Sequence, residues 1–344
     1  MTVLNRIKTA GRVLLGHEAR KKRHRPIPAI TRREVAQIKR FFPRDKFFIF
    51  GHARSGTTLL TRLVRLHAEV HCNDQAHFFT RRPLLTALVD SPEVEEWLSR
   101  KSNRWNHGQD LSAVMLRAAA EYVMEREAAA AGKPIVGDKS PSSTIHGQAV
   151  RDLHLLFPEA KLVYIVRDGR DVLTSERFRN LVEESRYLGG EDRKILRDLR
   201  SHPDRYITGG SSIFTESMIR RVSQGWFTNV AEIDAEGNRL FGKRFMAVRY
   251  EDLLGDPFAC MTRLWGFLGV SRIPNSLSGK IKREMRSNPD EEWQAKRGEE
   301  LAAFLTKGQA GNWRRLFTDR DKRLFKDIAG PMLIKWKYEQ SDDW

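Results

Sequence analysis

Phe47-Phe48-Ile49-Phe50-Gly51-His52-Ala53-Arg54-Ser55-Gly56-Thr57-Thr58 is an apolar run that empties into a loop bracketed by two glycines. The apolar run reads as a buried strand, and the hydroxyl pair after Gly56 opens a helix. The spacing Gly51-x4-Gly56 matches a P-loop, in which successive backbone N–H groups between strand and helix converge on an anion. Thr57 stands where such a loop has lysine. A nucleoside triphosphatase uses that lysine to reach the β- and γ-phosphates and the next hydroxyl to hold Mg²⁺, so its absence argues against ATP or GTP cleavage. Arg54, inside the loop, supplies a cation instead.

Outward from this loop, 344 residues with 40% hydrophobic content suffice for one large core. Helical patterns alternate with short β-branched or aromatic runs and there is no internal repeat. The expected fold class is therefore α/β, a P-loop-like three-layer sandwich around a central, mainly parallel sheet of about five strands. The net charge of +17 is uneven, because residues 1–40 carry twelve Lys/Arg against Glu18 and Glu34. They read as a basic leader, and residues 41–344 as a single domain. Val3, Leu4, Ile7, Val13 and Leu14 recur near helical spacing ahead of Arg20-Lys21-Lys22-Arg23-His24-Arg25. Residues 1–25 therefore suit either a peripheral contact with an anionic membrane or a frayed terminus. Charge alone also suits a nucleic-acid binder, but its concentration in the leader weakens that reading, and no specific nucleic acid is expected as a partner. No stretch reaches the roughly 20 apolar residues of a membrane span. The leader lacks the apolar core of a secretory signal, so the cytoplasm is the expected compartment, with a membrane-peripheral position as the alternative. Cys72 and Cys260 are too few for a disulfide framework and read as inert buried thiols in a reducing compartment.

Along the chain, Thr57 to His67 reads as a helix with Leu59, Leu60, Leu63, Val64 and Leu66 inward, its N-terminus aimed at whatever the loop holds. Residues 69–82, polar but flanked by aromatics, read as lining a cleft. Leu111 to Ala131 is an alanine-rich helix, Ile135-Val136 a brief strand, and Gly137-Asp138-Lys139-Ser140-Pro141 the turn after it. Lys161 to Val166 is a strand that delivers Arg167-Asp168-Gly169-Arg170-Asp171 to its carboxyl end. Residues 180–211 turn polar, with Gly189-Gly190 and Gly209-Gly210 as breakers, before a helix from Ser212 to about Ala235. The stretch near 180–235 reads as an insertion that would set specificity. Phe245 to Tyr250 is a further strand, and Asp256-Pro257 opens a helix.

Four of these segments, between about residues 46 and 320, resemble in order the sulfotransferases that use 3′-phosphoadenosine 5′-phosphosulfate (PAPS). The nearest motif style is that of the carbohydrate and tyrosylprotein members. Gly51 to Thr58 is similar to the family's 5′-phosphosulfate loop, and Arg167 with Ser175 to its 3′-phosphate pair. Tyr250-Glu251-Asp252-Leu253 is similar to its strand-to-helix segment near the adenine, and Lys307-Gly308-x-x-Gly311-Asn312-Trp313 to its carboxyl-terminal loop. Taken singly, Arg167 also reads as a surface ion pair with Asp171, and Tyr250 and Trp313 as core packing. Together they fit one ligand with phosphates at both ends.

The resemblance implies PAPS as co-substrate, with Arg54, Ser55, Gly56, Thr57 and Thr58 on its 5′-phosphosulfate. Arg167, Ser175, Lys307 and Gly308 fall on its 3′-phosphate, and Tyr250 near the base. It implies in-line transfer to an acceptor hydroxyl on a glycan, lipid headgroup, phenol or peptide tyrosine. Lys139 would stabilise the leaving charge. No metal-ligand spacing stands out among the ten histidines, and no metal is expected. Relatives tend to carry a glutamate base after the first helix, where this chain has Gln75. That leaves His77 and the neighbouring Asp74 as candidates for general base, or for groups that only orient the acceptor. A P-loop kinase or NTPase is the competing enzyme reading.

Overall fold

The structure, a computed structural model, describes residues 28–81, 85, 88, 91–182, 185–287 and 309–344. Five parallel strands form one sheet: β1 (Asp45–Gly51), β2 (Val70–Asp74), β3 (Ile135–Lys139), β4 (Lys161–Val166) and β5 (Phe245–Arg249). Their order is β2-β3-β1-β4-β5. The longer helices used below are α1 (Thr57–Val64), α2 (Ser112–Ala130), α3 (Gly147–Leu156), α4 (Gly169–Val182), α5 (Glu216–Phe241), α6 (Pro257–Leu268) and α7 (Asp319–Lys335).

A strand's side chains alternate between faces, and β1 shows why both faces must be covered. Phe47 and Ile49 pack in a cluster with Leu60 and Leu63 of α1 and Leu264 and Trp265 of α6. Phe48 and Phe50 join the opposite cluster with Leu116 of α2, Leu153 of α3, Trp226 of α5 and Phe325 of α7. Each fully buried side chain of this size contributes about 1.5–3 kcal/mol, so helices settle on both faces. The expected three-layer α/β architecture is the observed one.

Register aligns the functional ends. Asp74 of β2 pairs with Lys139 of β3, Lys139 with Ile49 of β1, Gly51 with Ile165 of β4, and Val166 with Arg249 of β5. The chain leaves β1 toward β2 but leaves β4 toward β5. A crevice therefore opens between β1 and β4 at their carboxyl ends, the usual ligand position in such sheets.

Local readings shift in several places. Residues 70–74 form an edge strand rather than only a cleft lining. Val70 and Cys72 point into the core while His71 and Asn73 are half-buried, and that short polar alternation hid the strand. β3 extends to Lys139, so the lysine sits in the sheet and not in the turn. Tyr250 begins the short helix Tyr250–Gly255 instead of ending β5. α5 starts later and runs further than expected, because Thr215 accepts the Met218 amide as its cap. The polar stretch before it contains the helices Gly190–Ser201 and Pro203–Ile207. Packed structure begins before residue 41: a capping box of Thr31 and Glu34 opens the helix Arg32–Ile38, and the Ile30 amide donates to the Leu155 carbonyl at 2.9 Å. Residues 1–25 lie outside the described part. Cys72 and Cys260 are buried and unpaired, and burial raises both thiol pKa values. No described helix is long and apolar enough to cross a membrane.

Candidate active site

The loop after β1 turns through left-handed residues at Arg54 (φ 70°) and Gly56 (φ 86°). Turns of this kind aim neighbouring amides into one concavity. Gly56 is the N-cap of α1 and, lacking a side chain, makes no cap bond. The first amides of α1 and its dipole therefore face the loop, with Thr57 buried and Thr58 exposed on that first turn. Glycine is required for a second reason: a Cβ at Gly56 would lie 2.2 Å from Cδ2 of Tyr250.

The two predicted anion groups meet. Arg54 Nε donates to Ser175 Oγ at 3.0 Å, across 121 residues of sequence, and Arg167 Nη1 donates to the Arg54 carbonyl at 3.1 Å. The Arg167 guanidinium stacks 4.8 Å from the Tyr250 ring centre, and its Nη2 donates to the Gln309 carbonyl at 2.9 Å. Arg54, Ser55, Gly56, Thr57, Thr58, Arg167, Ser175 and Tyr250 thus form one cluster. Lys307 and Gly308 lie outside the described residues. Two buried polar atoms here, Ser55 Oγ and Arg167 Nε, have no hydrogen-bond partner among the described residues. An orphaned buried group costs about 1–3 kcal/mol, a cost that a bound anion within reach of it would remove.

Arg167 does not pair with Asp171 at the surface. The Asp171 carboxylate instead accepts the amides of Gly311 at 2.7 Å and Trp313 at 3.2 Å. Burial raises its pKa against the pull of Arg167. Arg170, fully buried, lies against the rings of both Trp313 (3.7 Å) and Trp344 (4.4 Å) and pairs with Asp168 at 2.7 Å and with Glu339. Asp171 and Arg170 therefore pin the segment that follows Lys307-Gly308. The sequence reading missed both roles, although the repeated Arg-Asp of residues 167–171 was visible. A cavity of about 310 Å³ borders the same segment, lined by Asp168, Asp171, Glu251, Gly311, Trp313 and Tyr338 among others.

On the other side of the crevice, Lys139 Nζ is buried at the end of β3 and contacts Asp74 Oδ1 at 3.1 Å. Asp74 Oδ2 contacts Arg65 at 2.6 Å. Burial works against the Asp74 anion, but the hydrogen bonds and charges of Arg65 and Lys139 outweigh it and hold the carboxyl below its ordinary value. Gln75 (φ 57°) and His77 (φ 54°) are both left-handed. Their strained loop is tied down by Asp138 and Ser140: Asp138 accepts the Ala76 amide at 3.1 Å and the Ser140 hydroxyl, and Ser140 Oγ accepts the His77 amide at 2.8 Å. Burial pushes the Asp138 carboxyl up to about 6. The His77 ring is buried, with Nδ1 2.8 Å from Thr80 Oγ1 and Nε2 3.4 Å from Gln75 Oε1. Burial, then the charges of Arg81 and Lys139, lower its pKa. Lys139, Asp74 and His77 thus share one wall.

His52, inside the loop, escaped the sequence reading. It is 4% exposed, its Nδ1 lies 2.8 Å from the Ala53 carbonyl, and burial lowers its pKa to about 4. A histidine next to a glycine-bracketed loop was the available signal. Among the described residues no three His, Cys, Asp or Glu cluster as metal ligands.

A family model described as "Sulfotransferase family" matches residues 46–274. The protein-tyrosine sulfotransferase of Drosophila melanogaster is 29% identical over 228 residues, covering 65% of this chain and 38% of that protein. Protein-tyrosine sulfotransferase A of Caenorhabditis elegans is 25% identical over 224 residues, covering 65% and 49%. The chain spans less than half the length of these curated relatives. Among solved structures, mouse sulfotransferase SULT7A1 complexed with PAP is similar over 86% of this chain and 88% of that chain, with 15% identity and a TM-score of 0.42.

Proposed function

The chain belongs to the sulfotransferase family, and from that membership we propose that it moves the sulfuryl group of PAPS to an acceptor hydroxyl and releases adenosine 3′,5′-bisphosphate. The observation that carries this reading is the junction of Arg54, Ser175 and Arg167, which joins the glycine loop to the Arg–Ser pair. A nucleotide with phosphates at both ends needs two anion pockets one nucleoside apart. The loop amides of residues 55–58, the Ser55 and Thr57 hydroxyls and Arg54 would take the phosphosulfate. Arg167, Ser175, Lys307 and Gly308 would take the 3′-phosphate, with Tyr250 beside the base.

Transfer is in-line. The acceptor oxygen forms a bond to sulfur as the bridging oxygen departs with its electron pair on the bisphosphate. Lys139 stabilises the charge that develops there, and Asp74, bridging Lys139 and Arg65, holds the ammonium in position. His77 shapes the acceptor side of the same wall, its ring satisfied by Thr80 and Gln75. The acceptor is a hydroxyl compound. Of the glycan, lipid, phenol and peptide candidates, a tyrosine phenol has the support of the two protein-tyrosine sulfotransferase relatives.

Calorimetry with adenosine 3′,5′-bisphosphate against adenosine 5′-monophosphate tests the nucleotide reading. A second phosphate held by charge-assisted bonds of about 1.5–3 kcal/mol each should tighten binding at least about 30-fold. Equal affinities would sink it.

A further inference from the structure

The attacking hydroxyl must lose a proton, and neither sequence-nominated group is well set to receive it: two cations hold Asp74 as a weakly basic anion, and the His77 ring already has partners at both nitrogens. Both Asp74 oxygens face cations, and both His77 nitrogens face side-chain oxygens. His52 differs. Its Nδ1 faces a carbonyl oxygen, which only accepts, so Nδ1 carries the hydrogen and Nε2 keeps its lone pair. The contact to Ala53 is the one hydrogen bond made by the ring among the described residues.

The surroundings of Nε2 suit an incoming hydroxyl. The amide of Ser142 donates to the Gly51 carbonyl at 3.1 Å, which draws the segment following Lys139 against His52. Across from the ring is Gly225 of α5. A Cβ there would lie 3.7 Å from the Ser143 carbonyl oxygen and 4.0 Å from His52 Nε2, so the glycine leaves about a methyl group of space beside both acceptors. Gly225 has no positive φ to justify a glycine, and glycine inside a helix costs about 1 kcal/mol relative to alanine. We propose that His52 Nε2 accepts the hydrogen bond of the attacking hydroxyl beside Gly225 and receives its proton as the oxygen–sulfur bond forms. This deepens the PAPS reading and rests on it.

The electron balance is complete without another reactant. The hydroxyl oxygen supplies the pair for the new bond to sulfur, the bridging oxygen leaves with the old pair, and the proton passes from Nε2 to solvent after product release. Burial keeps the free ring neutral, and the negative charges of a bound phosphosulfate would favour its protonated form, so proton affinity rises when the donor is present.

The test uses four readouts on the whole chain and needs no identified acceptor. Calorimetry with adenosine 3′,5′-bisphosphate comes first: absence of binding overturns the PAPS reading and this inference with it. With binding present, ¹⁵N NMR should show His52 as the Nδ1–H tautomer, and its titration should move to higher pH on adding the bisphosphate together with sulfate. Sulfate release from PAPS, with water as the hydroxyl donor, should fall about 100-fold or more in His52→Gln and about tenfold in Gly225→Ala, while bisphosphate affinity stays within about threefold. Gly225→Ala should also unfold at higher denaturant, which separates a blocked site from a damaged fold. An Nε2–H tautomer, or sulfate release at the wild-type rate in both variants, overturns the role of His52 and leaves the nucleotide reading standing.

Discussion

Replacing Gly56 with alanine should disable the loop, and the structure supplies the size of the effect. The backbone there has φ 86°, a left-handed conformation that costs an L-residue with a Cβ about 1–2 kcal/mol. The new methyl would also sit 2.2 and 2.4 Å from Cδ2 and Cε2 of Tyr250. Carbon atoms settle near 3.5–4.0 Å, so the ring would have to retreat by roughly 1.5 Å. Its retreat is opposed by Arg167 stacked on it. Overpacking of this kind costs about 1–3 kcal/mol, giving about 2–5 kcal/mol in all. A double-mutant cycle in urea separates the parts. Gly56→Ala in a Tyr250→Ala background should cost only the conformational share, about 1–2 kcal/mol, because the clash has gone. Bisphosphate affinity, read by calorimetry, should fall at least about tenfold in Gly56→Ala as the loop amides are displaced. The reasoning fails if Gly56→Ala costs the same with and without the Tyr250 ring, or if it leaves both stability and affinity at wild-type values.

Lys139→Ala should lower the rate of sulfuryl transfer by about 10²–10³-fold with bisphosphate affinity within about threefold, since the ammonium acts on charge that develops during reaction; an equal loss in binding and rate would place it in ground-state recognition instead. Asp74→Asn should lower kcat about tenfold by loosening Lys139, and His77→Ala should raise acceptor KM more than it lowers kcat; loss of the acid limb of the pH–rate profile in His77→Ala would make His77 the base. Asp138 should make stability fall with pH. Its folded-state carboxyl holds a proton up to about 6 against an ordinary 3.8, so the stability it contributes is full below pH 3.8 and lost as pH rises through about 6, at most about 3 kcal/mol. Urea unfolding of wild type and Asp138→Asn at pH 4 and pH 7 should show the wild type losing that much relative to the variant, and a pH-independent difference would contradict the buried carboxyl.

Much of the α/β fold was legible because its signals are local. Phe47 to Phe50, Lys161 to Val166 and the leucines of α1 each declare an element within about ten residues, through period, run length and capping. Edge strand β2 was not legible, since a strand half-covered by the sheet needs few apolar residues and His71 and Asn73 looked like loop chemistry. The extent of β3 was lost for a related reason: Gly137, Asp138 and Lys139 have poor strand composition, and only pairing with β1 and β2 holds them in register.

The sequence by itself determined the glycine loop, the alternation that feeds cations to strand ends, and the order of the motifs, because these depend on neighbours along the chain. Only the tertiary structure decided that Arg54 reaches Ser175, that Asp74 spends both oxygens on Arg65 and Lys139, and that His52 faces Gly225. Each of these contacts joins segments brought together by sheet register and helix packing; a one-residue slip in strand pairing would send side chains to the other face, and one in a helix would turn them away by about 100°.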